Sequence, residues 1–290
     1  MAVVFALICR TRSRVPLSEW AAEGGHGRLR VTSKVMTSGS GAAVLTGRTA
    51  LVTGAASGIG AALTRRLVAD GAAVLAVDRD EAGLKTLTGE IPGAQPVVCD
   101  LSDLDAVDAL PAGVDVLVNN AGLQHVAALP EFDPDRFSLI LRVMLEAPFR
   151  LVRRILPHMY GRGWGRVINI SSVHGLRASP FKAAYVSAKH GLEGLSKVIA
   201  LEGASHGVTS NCINPAYVRT ALVEKQIADQ ARSHGIDENI VIEQIMLTPV
   251  AVKRLIEPDE VADLAAVLYG PASASITGSS LSMDGGWTAR

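Results

Sequence analysis

A glycine-rich turn between a short apolar strand and a helix constrains the fold of this chain more than any other feature. The turn joins a predicted strand, 48–53, to a predicted helix, 61–70, and a second predicted strand, 72–77, follows directly. Glycines allow a tight turn, and the N–H groups that begin the helix attract a pyrophosphate. The pattern predicts a dinucleotide site that includes Gly54, Ser57, Gly58, Ile59 and Gly60.

Apolar strands and helical segments alternate along the rest of the chain. Five further strands are predicted at 96–99, 114–118, 166–170, 208–213 and 279–283. This alternation predicts a single Rossmann-type α/β domain over 47–290, with a doubly wound, seven-stranded parallel sheet flanked by helices. Two helices within about 221–247 precede the last strand, and we expect them to form a small lid over a ligand.

The acidic residue that ends the second strand predicts which dinucleotide binds. Asp78 follows Gly60 by 18 residues, where a carboxylate accepts hydrogen bonds from the adenosine ribose and repels a 2′-phosphate. This predicts NAD rather than NADP, although the neighbouring Arg79 weakens the preference. The alternative is that Asp78 is a solvated residue before the next helix.

Two further strand ends carry residues suited to a nucleotide. Asp100 follows the third strand and can meet the adenine amino group, next to Leu101. The fourth strand ends in Asn120, Ala121 and Gly122, and small residues there let a cofactor pass close to the backbone. Ligands of such sheets bind at the carboxyl ends of the strands.

A tyrosine and a lysine at helical spacing predict proton chemistry. Tyr185 and Lys189 lie four residues apart on a helix that we expect to begin at Ser179, as N-cap, and Pro180. An ammonium beside the phenol favours the phenolate, and Ser172, after the fifth strand, can hold an oxygen against it. A tyrosine and a lysine at this spacing alone usually lie on the protein surface without a catalytic function. Here the preceding serine and the nucleotide motif favour catalysis.

The composition argues against several classes of binding partner. The 290 residues carry no net charge, which argues against nucleic acid or an anionic membrane as the main partner. No apolar run approaches the roughly 18 residues that a membrane helix needs. Cys9, Cys99 and Cys212 are scattered without metal-ligand spacing, which predicts a reducing, cytoplasmic location and no catalytic metal.

The first 46 residues differ from the rest, with six basic and two acidic side chains. We expect a disordered leader or a misassigned start, with Met36 as the alternative first residue. The Arg-rich, acid-poor composition leaves a mitochondrial targeting peptide as another interpretation.

The ordered motifs T-G-x-x-x-G-I-G, N-N-A-G, Ser172, Y-x-x-x-K and N-P-x-x-V-x-T resemble the short-chain dehydrogenase/reductase family over about 45–290. The resemblance implies that Ser172 bonds the substrate hydroxyl, that Tyr185 is the base, and that Lys189 lowers its pKa. It also implies that Tyr185 and Lys189 contact the nicotinamide half, together with Pro215, Val218 and Thr220.

Segments 121–125, 173–176, 218–226 and 284–290 further resemble the bacterial members that oxidise D-3-hydroxybutyrate. This implies reversible, NAD-dependent oxidation of (R)-3-hydroxybutyrate to acetoacetate, usually by a homotetramer. The substrate carboxylate would be held by Gln124, His174, Lys182 and Gln226, and Tyr217 would form an apolar wall where the relatives have Trp.

One departure bears on catalysis, because Met144 stands where the family usually has an Asn that completes a tetrad. Two alternatives stay open beside hydroxybutyrate oxidation. One is a family dehydrogenase for another hydroxy acid, a sugar or a polyol, and the other is a non-catalytic regulator that binds NAD.

Overall fold

Seven parallel strands form one sheet in the order β3-β2-β1-β4-β5-β6-β7. The computed structural model describes residues 43–289, so nearly all of the predicted leader lies outside the described residues. The strands are β1 (Thr49–Thr53), β2 (Ala73–Asp78), β3 (Ala94–Val98), β4 (Val116–Asn119), β5 (Gly165–Ile170), β6 (Val208–Pro215) and β7 (Ser280–Met283). The predicted doubly wound sheet is confirmed.

Helices cover both faces of this sheet. In the described part of the chain they are α1 (Gly58–Ala69), α2 (Glu81–Glu90), α3 (Leu104–Ala109), α4 (Pro134–Leu141), α5 (Ala147–Arg162), α6 (Ala183–Gly203), α7 (Ala221–His234), α8 (Glu238–Ile240) and α9 (Pro258–Tyr269). A π-helical segment, Arg142–Glu146, joins α4 to α5, and another, Val241–Met246, follows α8. The two predicted helices at 221–247 are present as α7 and α8 with its π-helical extension.

The core has two main layers, one on each side of the sheet. One cluster joins α1 and α9 to residues such as Val52 and Val118, and the other joins α5 and α6 to residues such as Leu51 and Leu117. Neighbouring residues of one strand thus point to opposite faces, as the pleat requires. Leu45, before the predicted domain boundary, is fully buried in the first layer.

The predicted start of the Tyr185 helix is wrong. Helix α6 begins at Ala183, and Ser179 and Pro180 lie in the preceding turn. Phe181 has a positive φ of 67°, which a right-handed helix does not allow, so the chain enters α6 only after this residue. Pro180 therefore has a turn role here. Tyr185 and Lys189 still share one helix.

Candidate active site

A cleft of about 380 Å³ lies at the carboxyl ends of the strands, where the strand order reverses between β1 and β4. Ligands bind at such switch points in doubly wound sheets. The sequence-predicted residues that line it are Gly54, Ser57, Gly58, Ile59, Asp78, Asp100, Leu101, Asn120, Ala121, Gly122, Ser172, Tyr185, Lys189, Pro215, Val218 and Thr220. Residues from six strand ends and three helices thus meet in one cavity.

The glycines of the first turn let two loops touch. Gly54 has φ 65°, and a Cβ there would lie 2.9 Å from the Ala121 Cα. A Cβ on Gly60 would lie 2.0 Å from the Gly54 carbonyl oxygen, and Gly60 is absent from the described lining of the cleft. Gly60 therefore serves the packing of α1 against the turn, and the other glycines form the cleft wall.

The start of α1 suits a pyrophosphate. Ser57 occupies the N-cap but makes no side-chain cap hydrogen bond, so the first N–H groups of the helix face the cleft without that partner. Gly58, with φ 53°, places its Cα close to Thr220, since a Cβ would lie 3.0 Å from the Thr220 Cγ2. The cradle fits a phosphate oxygen and leaves no room for a side chain.

Asn120 fastens the end of β4 to the glycine turn. Its Nδ2 donates to the carbonyl oxygens of Thr53 at 2.9 Å and Gly54 at 3.1 Å. The backbone N–H of Asn120 and of Ala121 both donate to the Thr53 hydroxyl. Asn120 thus shapes the cleft floor.

Two carboxylates mark the adenosine end of the cleft. Asp78 accepts hydrogen bonds of 3.0 Å from the N–H groups of Ala56 and Asp80, so its carboxylate is fixed beside the glycine turn. Hydrogen bonds from Ser102 to Asp100 lower the pKa of that carboxyl, and the charge of Arg79 adds to the effect. The carboxylates of Asp78 and Asp100 both line this end of the cleft.

Ser172, Tyr185 and Lys189 converge at the other end. Lys189, only 4% exposed, donates from Nζ to the Ile170 carbonyl oxygen at 2.6 Å, and its Nζ lies 5.7 Å from the centre of the Tyr185 ring. Burial lowers the pKa of Lys189 to about 8, and the neighbouring Cys212 and Glu193 side chains partly oppose this shift. The predicted trio is assembled in one place.

The expected lowering of the Tyr185 pKa is not found in the protein alone. Burial raises the pKa of this phenol, a hydrogen bond from Ser172 acts in the opposite direction, and the nearby Tyr217 raises it further. Desolvation disfavours the phenolate more than the surrounding dipoles favour it.

Met144 lies in the π-helical segment, behind the cleft. It is 1% exposed, and its sulfur accepts a weak contact of 3.5 Å from the Leu123 N–H. A Cβ on Gly122 would lie 3.7 Å from its terminal methyl group. Met144 fills the space behind the N-N-A-G loop with apolar atoms. π-Helical turns are frequent at functional sites.

Three of the predicted substrate residues, His174, Lys182 and Tyr217, cluster beside Tyr185. The His174 ring lies 5.9 Å from the Tyr185 ring, and its Nε2 is 2.8 Å from the Ser179 hydroxyl. Lys182 Nζ lies 5.9 Å from the centre of the Tyr217 ring. Burial lowers the pKa of His174 to about 4, with Lys182 and His190 contributing, so this histidine is neutral near pH 7.

The two predicted glutamines border the site on loops and the lid. Gln124 follows β4, in a loop that is tied to the Lys182 turn by a hydrogen bond from the Ala127 N–H to the Phe181 carbonyl oxygen. Gln226 lies on α7 beside Ile227, which packs in the same cluster as Tyr217. Neither glutamine is among the described residues that line the main cleft, so their contact with a substrate stays a prediction.

Trp287 was not predicted as a site residue. Its ring lies 5.7 Å from the ring of His174 and 5.7 Å from that of Tyr217. Asp284 fixes this tail by accepting hydrogen bonds from Gly286 and Thr288. The position of Trp287 near the sheet edge could have been predicted from the sequence. This residue follows the last strand and a D-G-G turn, and the turn returns the chain to the edge of the sheet.

Other site types lack support in the part of the chain that the structure describes. No group of three or more His, Cys, Asp or Glu side chains among residues 43–289 is arranged to hold a metal ion. Over the same residues, no helix is both long and apolar enough to span a bilayer. Cys99 and Cys212 are buried free thiols.

A family model described as short chain dehydrogenase matches residues 48–231. The chain belongs to this family. Its Tyr185–Lys189 pair and its glycine turn lie within the matched residues, and the shared fold explains why they face one cleft. The chain is therefore a short-chain dehydrogenase type of oxidoreductase, a family that uses a nicotinamide cofactor.

Two characterised relatives are similar over most of their length. The chain is 45% identical to a D-beta-hydroxybutyrate dehydrogenase of Rhizobium meliloti over 84% of this chain and 99% of the relative. It is 39% identical to a D-beta-hydroxybutyrate dehydrogenase of Cupriavidus necator over 85% of this chain and 100% of the relative.

A solved structure with NADP bound shows the same fold. A protein from Beutenbergia cavernae, assigned as an NAD(P)-dependent gluconate 5-dehydrogenase and containing NADP, superposes with a TM-score of 0.78 at 34% identity. The match covers 86% of this chain and 100% of that one. The likeness establishes the fold and leaves the choice between NAD and NADP to the residues of this chain.

Proposed function

We propose that this protein catalyses the reversible, NAD-dependent oxidation of (R)-3-hydroxybutyrate to acetoacetate. The observation that carries the proposal is the position of Tyr185 and Lys189 in the wall of the cleft, next to a cluster that contains His174, Tyr217 and the cationic Lys182. A short hydroxy acid needs both features: a base at its hydroxyl and a positive charge at its carboxylate.

The chemistry at the hydroxyl follows from three side chains. Ser172 donates a hydrogen bond that orients the substrate oxygen against Tyr185. Tyr185, as phenolate, takes the proton from that hydroxyl, and Lys189 supplies the adjacent positive charge. A bound nicotinamide dinucleotide would supply the hydride acceptor, held by the cleft residues around the glycine turn, Tyr185 and Lys189.

Dinucleotide choice rests on the adenosine end. The Asp78 carboxylate is fixed beside the glycine turn by the Ala56 N–H, where a ribose 2′-hydroxyl would donate to it. A 2′-phosphate in that place would meet two negative charges, because Asp100 lies on the same side of the cleft. Arg79 offers a partial counter-charge, so the proposal is a preference for NAD.

Carboxylate binding uses the pocket of Lys182 and His174. Burial lowers the pKa of Lys182, so its ammonium gains from pairing with an anion. Neutral His174 offers one ring N–H, and we expect Gln124 and Gln226 to add amide donors when the lid closes. The rings of Tyr217 and Trp287 limit the pocket to a short methyl-bearing chain.

The proposal also covers the assembly and the location of the protein. The exposed apolar side chains of α5 and α6, Phe149, Val198 and Leu201, favour association of copies through these helices. We expect a homotetramer in the cytoplasm, and light scattering on purified protein measures the assembly.

NADH absorbance with (R)-3-hydroxybutyrate and NAD tests the proposal. We expect turnover by the wild type and a loss of about 10²- to 10⁴-fold in Tyr185→Phe, because the general base is gone. Tyr160→Phe, which alters a tyrosine stacked on His206 away from the cleft, is the matched control. Wild-type turnover of gluconate but not of 3-hydroxybutyrate would favour the sugar-acid alternative. Binding of NAD without turnover of any hydroxy acid would favour the regulator.

A further inference from the structure

Glu193 is a buried carboxylate that the chemistry above does not use. It is 5% exposed and lies on α6 one helical turn beyond Lys189, so Tyr185, Lys189 and Glu193 follow one another on the same face. A buried charged side chain without a function is costly. The contacts of Glu193 are therefore expected to serve a function.

Both oxygens of Glu193 accept hydrogen bonds. Oε1 accepts from Asn214 Nδ2 at 2.5 Å, and Oε2 accepts from the Ser280 hydroxyl at 2.5 Å. Two donors on two oxygens match a carboxylate rather than a carboxylic acid. The negative charge is thus held in place from β6 and β7, the two strands that carry these donors.

The Asn214 amide carries the contact on to the catalytic serine. The same Nδ2 that binds Glu193 also donates to the carbonyl oxygen of Ser172 at 3.0 Å. Gly175 packs directly over the carboxylate, since a Cβ there would lie 3.0 Å from Glu193 Oε1. Through Asn214 and Gly175, Glu193 therefore supports the turn 172–175, which bears Ser172 and His174.

Lys189 and Glu193 hold the backbone on either side of Ser171. Lys189 Nζ donates to the Ile170 carbonyl oxygen, and Glu193 fixes the Ser172 carbonyl oxygen through Asn214. The titratable groups facing Lys189 are Tyr185, Glu193 and Cys212. Burial raises the pKa of the Cys212 thiol, which stays neutral, so Glu193 is the anion among them.

We propose that Glu193 is a positioning residue for the dehydrogenase reaction: it fixes the Ser172 turn through Asn214 and supplies the buried negative charge that balances Lys189. The phenol and the ammonium share protons as a coupled pair. A nearby anion favours the ammonium of Lys189, and the ammonium favours the phenolate of Tyr185. Glu193 thus acts on Tyr185 through Lys189, from two helical turns along α6. This inference rests on the proposed function.

Glu193→Gln separates charge from shape. Its amide oxygen still accepts from Asn214, and its NH₂ group can donate to Ser280, but the charge is gone. We expect the basic limb of the pH profile of kcat/KM to move down by about one pH unit, because Lys189 then loses its proton more readily. Glu202→Gln, at an exposed site on α6, is the control, and we expect its profile to match the wild type.

Glu193→Asp tests the positioning role and covers the case in which the Gln variant does not fold. It keeps the charge but retracts it from Asn214, so we expect an unchanged basic limb and a kcat about tenfold lower. Superposable profiles for wild type and Glu193→Gln, or full kcat in Glu193→Asp, would overturn the proposal. The dependence of NADH affinity on pH, read by fluorescence, gives the same comparison without any substrate. A wild type inactive on 3-hydroxybutyrate but with this Glu193-dependent shift would refute only the proposed substrate.

Discussion

Lys189 donates a hydrogen bond of 2.6 Å from its buried Nζ to the carbonyl oxygen of Ile170, the last residue of β5. The bond fixes the ammonium at the end of the sheet, 5.7 Å from the centre of the Tyr185 ring. The positive charge is therefore part of the folded scaffold before any ligand binds. Removal of the Lys189 ammonium should therefore change the protonation of Tyr185 and leave the shape of the cleft unchanged.

Lys189→Met should shift the acid limb of the oxidation rate toward higher pH. Burial already raises the pKa of Tyr185, and without the ammonium the phenolate forms only at still higher pH. We expect activity to be lost near neutrality and partly recovered in alkaline buffer. The pH dependence of kcat/KM measures this. A variant whose residual rate is independent of pH would contradict the assigned role.

Asp78→Asn should relax the preference for NAD. The amide keeps an oxygen for the Ala56 N–H but no longer repels a 2′-phosphate. We expect the ratio of kcat/KM for NADP to that for NAD to rise at least about tenfold, the size of one moderately screened charge pair. Arg79→Ala should move the ratio the other way. Equal use of both nucleotides by the wild type would remove the basis of this prediction.

His174 should make the folded protein less stable in acid. The pKa of His174 is lowered to about 4 in the folded protein, from an ordinary value of 6.5, so the unfolded chain binds the proton first as pH falls. Its contribution is full above pH 6.5 and is lost between there and about pH 4. We expect the wild type to lose about 2 to 3 kcal/mol more than His174→Gln between pH 7.5 and pH 4.5. Urea unfolding at the two pH values measures the difference. A parallel loss in both proteins would show that His174 is not the group that titrates.

The seven-stranded parallel sheet could be predicted from the sequence for a local physical reason. A strand, a glycine turn and a helix are read from contiguous residues, and strand ends of a parallel sheet meet at one edge. Asp78, Asp100 and Asn120 could be placed in the cleft because each directly follows a strand.

Features that depend on contacts between distant segments were not predictable. The link from Glu193 to Ser172 needs α6, β6 and β7 in register, and Trp287 reaches the pocket only because Asp284 folds the tail back. The positive φ of Phe181, which delays α6, is rare for a residue with a bulky side chain, so the residue type gave no signal for it. The raised pKa of Tyr185 follows from burial, which the helix pattern alone does not reveal.

The proposed function requires that the residues beside Tyr185 bind the negatively charged carboxylate of the substrate. Lys182 is a half-buried cation beside Tyr217, and Lys182→Met should raise KM for 3-hydroxybutyrate by about 100-fold because a charge-assisted contact is lost. Lys197→Met, at an exposed position on α6, should leave KM unchanged.

The most direct measurement compares kcat/KM for (R)-3-hydroxybutyrate with that for its methyl ester, at equal NAD, in the wild type and in Lys182→Met. We expect the wild type to prefer the acid by at least about 100-fold and the variant to lose most of that preference. Equal rates on acid and ester in the wild type would contradict the assignment of this site to a small hydroxy acid.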